Sequence, residues 1–493
     1  MQAYHGSVMR CAALAMALQL VACAQDGDPR AQTVLYVDTD VPVPTLADTL
    51  RVEVIEPAGF VSESRTYVRP NARDWPVSLG VMPREDGAPT LLRLRLYGAS
   101  HIAGRNPSEL AHDLDPDDPL PAFVIDRLVE LAAPETGIRR VAVLLRGDCM
   151  GVPADLTARL TCASGELEPT AEPSAALDGL SEAPDPEAPP RPGSWSAAEE
   201  TPCTGSPRAD SGTRDDDVCV RGGIFFLGDE RLGVNAGAGS SWASIPERLV
   251  RVSPFFMDRH EVTVGRVRAV IAAGFEPDPA EYADRSEMSL CTFTGDGSAD
   301  ELPMSCISKA FAESFCAFDG GRTIPTEAQW EYAASSRGEE RMYVWGSTPA
   351  TCDDAVFARI GLSLSGIFGI RPSDELGTPG QCAAQGEGPQ PVGSIERDVT
   401  ADGIVDLNGN IQEWTRDSFI ALTHECWDHP QLTDPECDVG GDEYITRGGI
   451  WSGVLGSLPV SLRKSSGQQS ARDPRGGSFT GFATGFRCVR SGS

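Results

Sequence analysis

The feature that most constrains this chain is a stretch with little capacity to fold. Glu166 to Glu200 holds seven prolines and nine acids against one arginine, Arg191, with few apolar side chains. Such a segment cannot bury enough surface to offset the entropy of ordering, so it is expected to be an extended tether. A length of 493 residues leaves room for a core on either side. The tether therefore predicts an N-terminal domain over 23–165, a linker over 166–201 and a larger domain over 202–493.

Residues 1–22 carry one Arg, Arg10, and then an apolar run from Ala12 to Ala22. The run is short for a membrane span and has the form of a signal-peptide core. Its ending, Leu20-Val21-Ala22-Cys23, resembles a bacterial lipobox. That resemblance implies an exported lipoprotein acylated on Cys23, tethered to the cell envelope by lipid. Ala24 and Gln25 differ from the Asp signal for inner-membrane retention, which favours the outer membrane. The balance of 41 basic against 72 acidic residues, net −31, repels phosphate backbones and argues against nucleic-acid binding.

Cysteine usage agrees with export. Beyond Cys11 and Cys23 there are twelve, an even number. Cys149/Cys162, Cys203/Cys219, Cys291/Cys306, Cys352/Cys382 and Cys426/Cys437 are neighbours in sequence, with Cys316 and Cys488 left over. Connectivity stays open at this level, but an even set in an exported chain reads as disulfides rather than metal thiolates. No C-x-x-C occurs, which argues against a zinc ribbon or a thioredoxin-like redox site.

Between 32 and 162 short β-branched runs alternate with Pro, Gly and Asp: TVLYVDTD, LRVEVI, RTYV, VSLGV, LLRLRLYG and RRVAVLL. This predicts a small antiparallel all-β sandwich with an adhesive or spacer role. In Leu92-Arg93-Leu94-Arg95-Leu96 the leucines should face the core and the arginines solvent. His101 and His112 stand alone and are expected at the surface or in loops. The larger domain has Gly-rich turns and two clear helices. One follows Thr263, with Val264, Val267, Val270 and Ile271 on one face. The other runs from Thr326 to about Ser335, opened by the capping box Thr326-Glu327-Ala328-Gln329.

Motifs in this domain follow a fixed order: RGGIFFLG (221–228), SPFFMDRHEVTVGRVRAVI (253–271), FCAFDGGRTIPTEAQWEYAA (315–334), YVWG (343–346), PVGS (391–394), DLNGNIQEW (406–414), RGGIW (447–451) and GFRCVR (485–490). The set resembles the formylglycine-generating enzyme, or sulfatase-modifying factor, family. The resemblance implies a loop-rich α+β domain, a variant of the C-type lectin fold. It also implies a disulfide between Cys316 and Cys488. A family calcium site maps onto Asp406, Gly409, Ile411 and Glu413, two carboxylates and two carbonyls of the hard-oxygen kind Ca²⁺ takes. A second family calcium site is not carried over, because Cys352-Asp353-Asp354-Ala355-Val356 puts Val where Asn is expected.

Active members of that family oxidise a substrate cysteine to formylglycine with copper held by two cysteines, four and nine residues beyond the last Gly of R-G-G. Here those positions are Gly453 and Leu458. A cuprous ion needs soft thiolates, so neither residue can serve and no copper is expected. Related sulfoxide synthases use iron on histidines, but His260, His424 and His429 offer no evident triad. No G-x-S-x-G elbow is present. Asp258, Glu261, Glu327 and Glu331 lie within fold motifs and are expected to satisfy backbone groups and arginines. The sequence thus predicts a non-catalytic module that binds or scaffolds a peptide, protein or glycan. The alternative is an oxidoreductase of the formylglycine-generating type working by an altered mechanism.

Overall fold

The computed structural model describes residues 31–105, 114–172, 192–230, 232, 241–278, 291–294, 296–364, 377–427, 432–467 and 483–493. His112, His429, Cys11 and Cys23 lie outside these residues, as does the whole leader. Among the described residues no helix is long and apolar enough to cross a membrane.

The first domain is built from two facing sheets. β1 (Gln32–Thr39) lies between β4 (Val77–Val81) and β7 (Ile138–Leu145). β2 (Thr49–Ile55) and β5 (Thr90–Tyr97) form the centre of the other, flanked by β3 (Val61–Val68) and β6 (Ile125–Leu131). Leu35, Val37, Leu50, Leu92, Leu94, Leu96, Val141 and Val143 meet in one core, the inward set that period-2 alternation predicts. Two expectations need correction. The sandwich is not wholly antiparallel, because β1 and β7 run parallel over eight residue pairs. Nor do both arginines of LRLRL reach solvent: Arg95 is buried and pairs with Glu53 and Asp118, while Arg93 holds Asp126. Acids on neighbouring strands turn that face of the sheet into an ion-pair layer, which alternation within one strand cannot reveal.

The linker is shorter than its composition suggests, because both its ends pack. β9 (Leu167–Pro169) pairs with β8 (Leu160–Cys162). Further on, Trp195 is buried against the first domain; its Nε1 donates to Asp148 Oδ1 at 2.7 Å and its N–H to the Asp40 carbonyl at 2.8 Å. Gly147 leaves room for that indole, since a β-carbon there would stand 2.2 Å from Trp195 Cδ2. Residues 173–191 lie outside the described residues.

In the second domain β11 (Gly223–Leu227) pairs with β12 (Arg248–Val252), which the short β15 (Leu432–Thr433) joins in parallel, and β13 (Phe255–Asp258) lies between β10 (Asp217–Val220) and the terminal β19 (Val489–Ser491). β14 (Gln412–Ser418), β16 (Glu443–Arg447), β17 (Lys464–Gly467) and β18 (Thr484–Gly485) make a further sheet. Helix α1 (Val264–Ala272) starts at Thr263, whose side chain accepts the Arg266 N–H. Helix α3 (Glu327–Ala334) carries the predicted capping box between Thr326 and Gln329. Between them lies α2 (Lys309–Phe318), which the sequence reading missed. Its signal was present: Ser308 as N-cap and Phe311 and Phe315 one turn apart, both buried.

Six disulfides join Cys149–Cys162, Cys203–Cys219, Cys291–Cys306, Cys316–Cys488, Cys352–Cys382 and Cys426–Cys437. The bond from α2 to the last strand closes a separation of 172 residues, worth about 5 kcal/mol in the chain-entropy account. The domain is a loop-rich α+β fold with its helices packed on irregular sheets.

Candidate functional site

The segment from Arg447 to Leu458 is the place to look, and it is anchored from behind by charge. Glu327 and Glu331 sit one turn apart on α3 and face two arginines. Arg463 grips both oxygens of Glu327 at 2.7 and 2.9 Å. Arg447, wholly buried, pairs with Glu327 at 3.1 Å and with Glu331. Glu331 also accepts the Gly228 N–H. Burial pushes the Glu331 carboxyl up to about 7 against the pull of Arg447, whereas Arg463 and Arg447 overcome burial at Glu327 and hold it below its usual value. Asp258 is likewise committed to Arg266 and Arg322, and Glu261 to the Asn410 amide and the Ile411 N–H. These four acids build the fold, as the sequence suggested.

Two glycines then bring the loop against the 406–410 turn. A β-carbon on Gly448 would stand 3.2 Å from the Leu407 carbonyl, and one on Gly449 would meet Leu458 Cδ2 at 2.5 Å. Trp451 N–H donates to the Asn410 carbonyl at 2.8 Å. On the other side Arg359 N–H donates to the Trp451 carbonyl and Ala358 N–H to the Gly453 carbonyl, each at 2.8 Å. The Lys464 ammonium closes the loop from below, donating to the carbonyls of Gly448 at 2.7 Å and Ser457 at 3.0 Å. Asn408 donates to the Leu458 carbonyl at 2.6 Å.

At the two positions that decide copper chemistry the structure places no sulfur. Leu458 is fully buried among Tyr343, Ala350, Ala355, Phe357, Ala358 and Cys382. Gly453 has Ser457 Oγ where a β-carbon would project, 2.4 Å away. All twelve cysteines of the described residues are in disulfides. The residues present do not fit a cuprous ion.

The side chains expected to hold calcium are met by protein groups. Both oxygens of Glu413 are taken: Arg487 donates to them at 2.6 and 2.8 Å, and Trp330 Nε1 donates to one at 2.8 Å. Asp406 accepts the Gly393 N–H at 2.6 Å, and Gly409 packs its α-carbon side against the Val356 backbone. Ile411 is buried with its N–H on Glu261. Arg487 thus supplies the positive charge that a cation would bring. Burial pushes Glu261 and Asp398 well up and Asp406 to about 6. Arg487 and the Gly393 N–H are the groups that meet the Glu413 and Asp406 carboxylates in this structure. Arg487 and Asp398 were the residues the sequence reading overlooked here, since nothing local ties positions so far apart.

The histidines stay apart in role. His260 is buried beside Asp216, and burial brings its pKa down to about 4. The ring of His424 accepts the Cys426 N–H within its own loop. Among the described residues no three or more of His, Cys, Asp and Glu are arranged to hold a metal. His101, expected at the surface or in a loop, lies in the loop after β5 but is buried against Glu247.

The sulfatase-modifying factor enzyme 1-like domain family matches residues 204–492, more than half of the chain. The chain belongs to this family. Among its relatives are the hercynine oxygenase of Mycolicibacterium smegmatis, 27% identical over 273 residues covering 50% of this chain and 56% of that one. The formylglycine-generating enzyme of Thermomonospora curvata is 24% identical over 267 residues, 47% of this chain and 81% of that one. The chain thus spans little more than half of the hercynine oxygenase. Similar solved structures include PvdO from Pseudomonas aeruginosa, 18% identical with a TM-score of 0.40, covering 58% of this chain and 98% of that one. CarF is 18% identical with a TM-score of 0.33, covering 56% and 98%. The sulfatase-modifying factor domain here therefore keeps the family's fold motifs while its R-G-G loop carries glycine and leucine at the two copper positions.

Proposed function

We propose that this chain is an exported, lipid-anchored family member that binds a peptide, protein or glycan and does not perform the family's copper-dependent oxidation. The observation that carries the reading is the pair Gly453 and Leu458, one without a side chain and the other a core residue. Cuprous copper is held by soft sulfur, and no hydrocarbon side chain replaces a thiolate. What remains intact is a glycine-shaped loop fixed by Arg447, Asn408 and Lys464, a rigid element of the kind that binding surfaces use. The lipobox ending at Cys23 supports a membrane tether in the bacterial envelope, with the outer membrane favoured.

A second reading, an oxidoreductase of altered mechanism, has in its favour that the relatives bear enzyme names. Anaerobic titration of the purified chain with Cu(I) separates the two. The binding reading expects no tight stoichiometric uptake, and one-to-one binding would overturn it. For the tether, Cys23→Ser is expected to release the protein from membranes; a variant that stays bound would refute the lipid.

A further inference from the structure

The two domains meet at a joint made of titratable groups. His101, from the turn after β5, is 1% exposed and inserts between Phe123 of its own domain and Phe226 of β11, with ring centroids 4.7 and 4.5 Å away. Its Nε2 lies 2.5 Å from Glu247 Oε2, just before β12 of the second domain. Glu247 and Glu230 are themselves interlocked: each carboxylate accepts the other's backbone N–H, at 2.9 and 3.1 Å. Ser100 Oγ donates to Glu340 at 3.3 Å. A cavity of about 40 Å³, enough for a water or two, lies beside them and is lined by Ser100, Glu230, Glu247, Glu331 and Glu340. Ile224 and Leu249 complete the contact by joining the first domain's core.

The chain also has a hinge for this joint. Trp195 is fastened to the first domain, while Thr201 exchanges two hydrogen bonds with Gly222 of the second, at 2.8 and 3.0 Å. Only residues 196–200 separate the two attachments.

We infer that the domains are held together by a proton-dependent latch, in which His101 clasps Glu247 beside the buried carboxyl of Glu230. Among the described residues the charged groups that act on His101 are Glu247, Glu340 and Glu230, with Glu339 and Arg341 also lining the cavity, and those that act on Glu230 are Glu247, Asp229 and His101. Burial disfavours the imidazolium, but Glu247 outweighs it, and the His101 pKa is raised above its usual 6.5. Burial and then Glu247 push Glu230 from its usual 4.5 up to about 8. His101 binds its proton more tightly docked than free, because the acids around it come from the second domain. Its contribution is full below pH 6.5 and is lost as pH rises through its raised value. Docking therefore weakens with rising pH. Glu331 lines the same cavity and holds Arg447.

Small-angle scattering of the full chain between pH 5.5 and 9.5, with circular dichroism on the same samples, tests this. The radius of gyration is expected to rise with pH at unchanged secondary structure. Glu247→Gln and His101→Gln should each weaken docking already at pH 6 and remove most of its dependence on pH. Circular dichroism of each variant at pH 6 shows that it is folded. A radius independent of pH in the wild type overturns the latch. So does a rise with the same midpoint in His101→Gln, or one that accompanies loss of secondary structure.

Discussion

Leu458 lies against Gly449, with one of its methyls where that glycine's side chain would begin. A residue nine places beyond the R-G-G glycine has become the plug of a small core that also takes in Tyr343, Phe357 and Ala358. Leu458→Ala should therefore destabilise the second domain by about 2–5 kcal/mol, the range for emptying a buried leucine site. Denaturant unfolding followed by tryptophan fluorescence measures it. A cost near zero would mean that the position is a free surface and not a plug.

Arg487 and Glu413 form a pair sealed from solvent. Removing one partner leaves a buried charge, so Arg487→Met should cost about 3–5 kcal/mol, while Arg487→Met with Glu413→Gln should cost less. Because the guanidinium already meets that carboxylate, EDTA should leave the melting temperature unchanged. A drop on chelation, abolished in Glu413→Gln, would restore calcium to this turn.

Trp195 ties the end of the linker to the first domain through Asp148 and Asp40. Trp195→Ala should destabilise that domain by about 3–5 kcal/mol and expose residues 192–200 to proteolysis. Cleavage at the wild-type rate would show that the indole does not hold the segment.

Acid stability should depend on Asp319, which bridges Arg208, Arg266 and Arg322. Burial alone would raise its pKa, but Arg266 and the other two arginines bring it down to about 2. The folded value is depressed, so this stabilisation is full above pH 3.8 and is lost as pH falls toward 2. Asp319→Asn should lower the melting temperature at pH 6 and flatten its further decline between pH 4 and 2. Parallel curves for both proteins would contradict this.

Local signals in the sequence carried furthest. The capping box at Thr326, the valine face after Thr263 and the leucine alternation of β5 each rest on residues a few positions apart, and each forms. Long-range partners were hidden. Arg95 with Glu53, Arg487 with Glu413 and His101 with Glu247 join residues 42, 74 and 146 positions apart, and no periodicity reports such pairs. The linker misled for a related reason: its composition is that of a tether, but one tryptophan in a glycine-made slot outweighs the local average. The candidate loop was legible because its chemistry is set by residue type at two positions.

Loss of the family's oxidation in this chain is read most plainly from turnover. The purified chain, supplied with Cu(I), reductant and oxygen, is incubated with a C-x-P-x-R peptide and the peptide is read by mass spectrometry. The cysteine peptide is expected to be recovered without formylglycine, while an active family member run alongside converts it. Formylglycine formed by this chain at a rate that scales with its concentration would show that the oxidation survives without the two thiols.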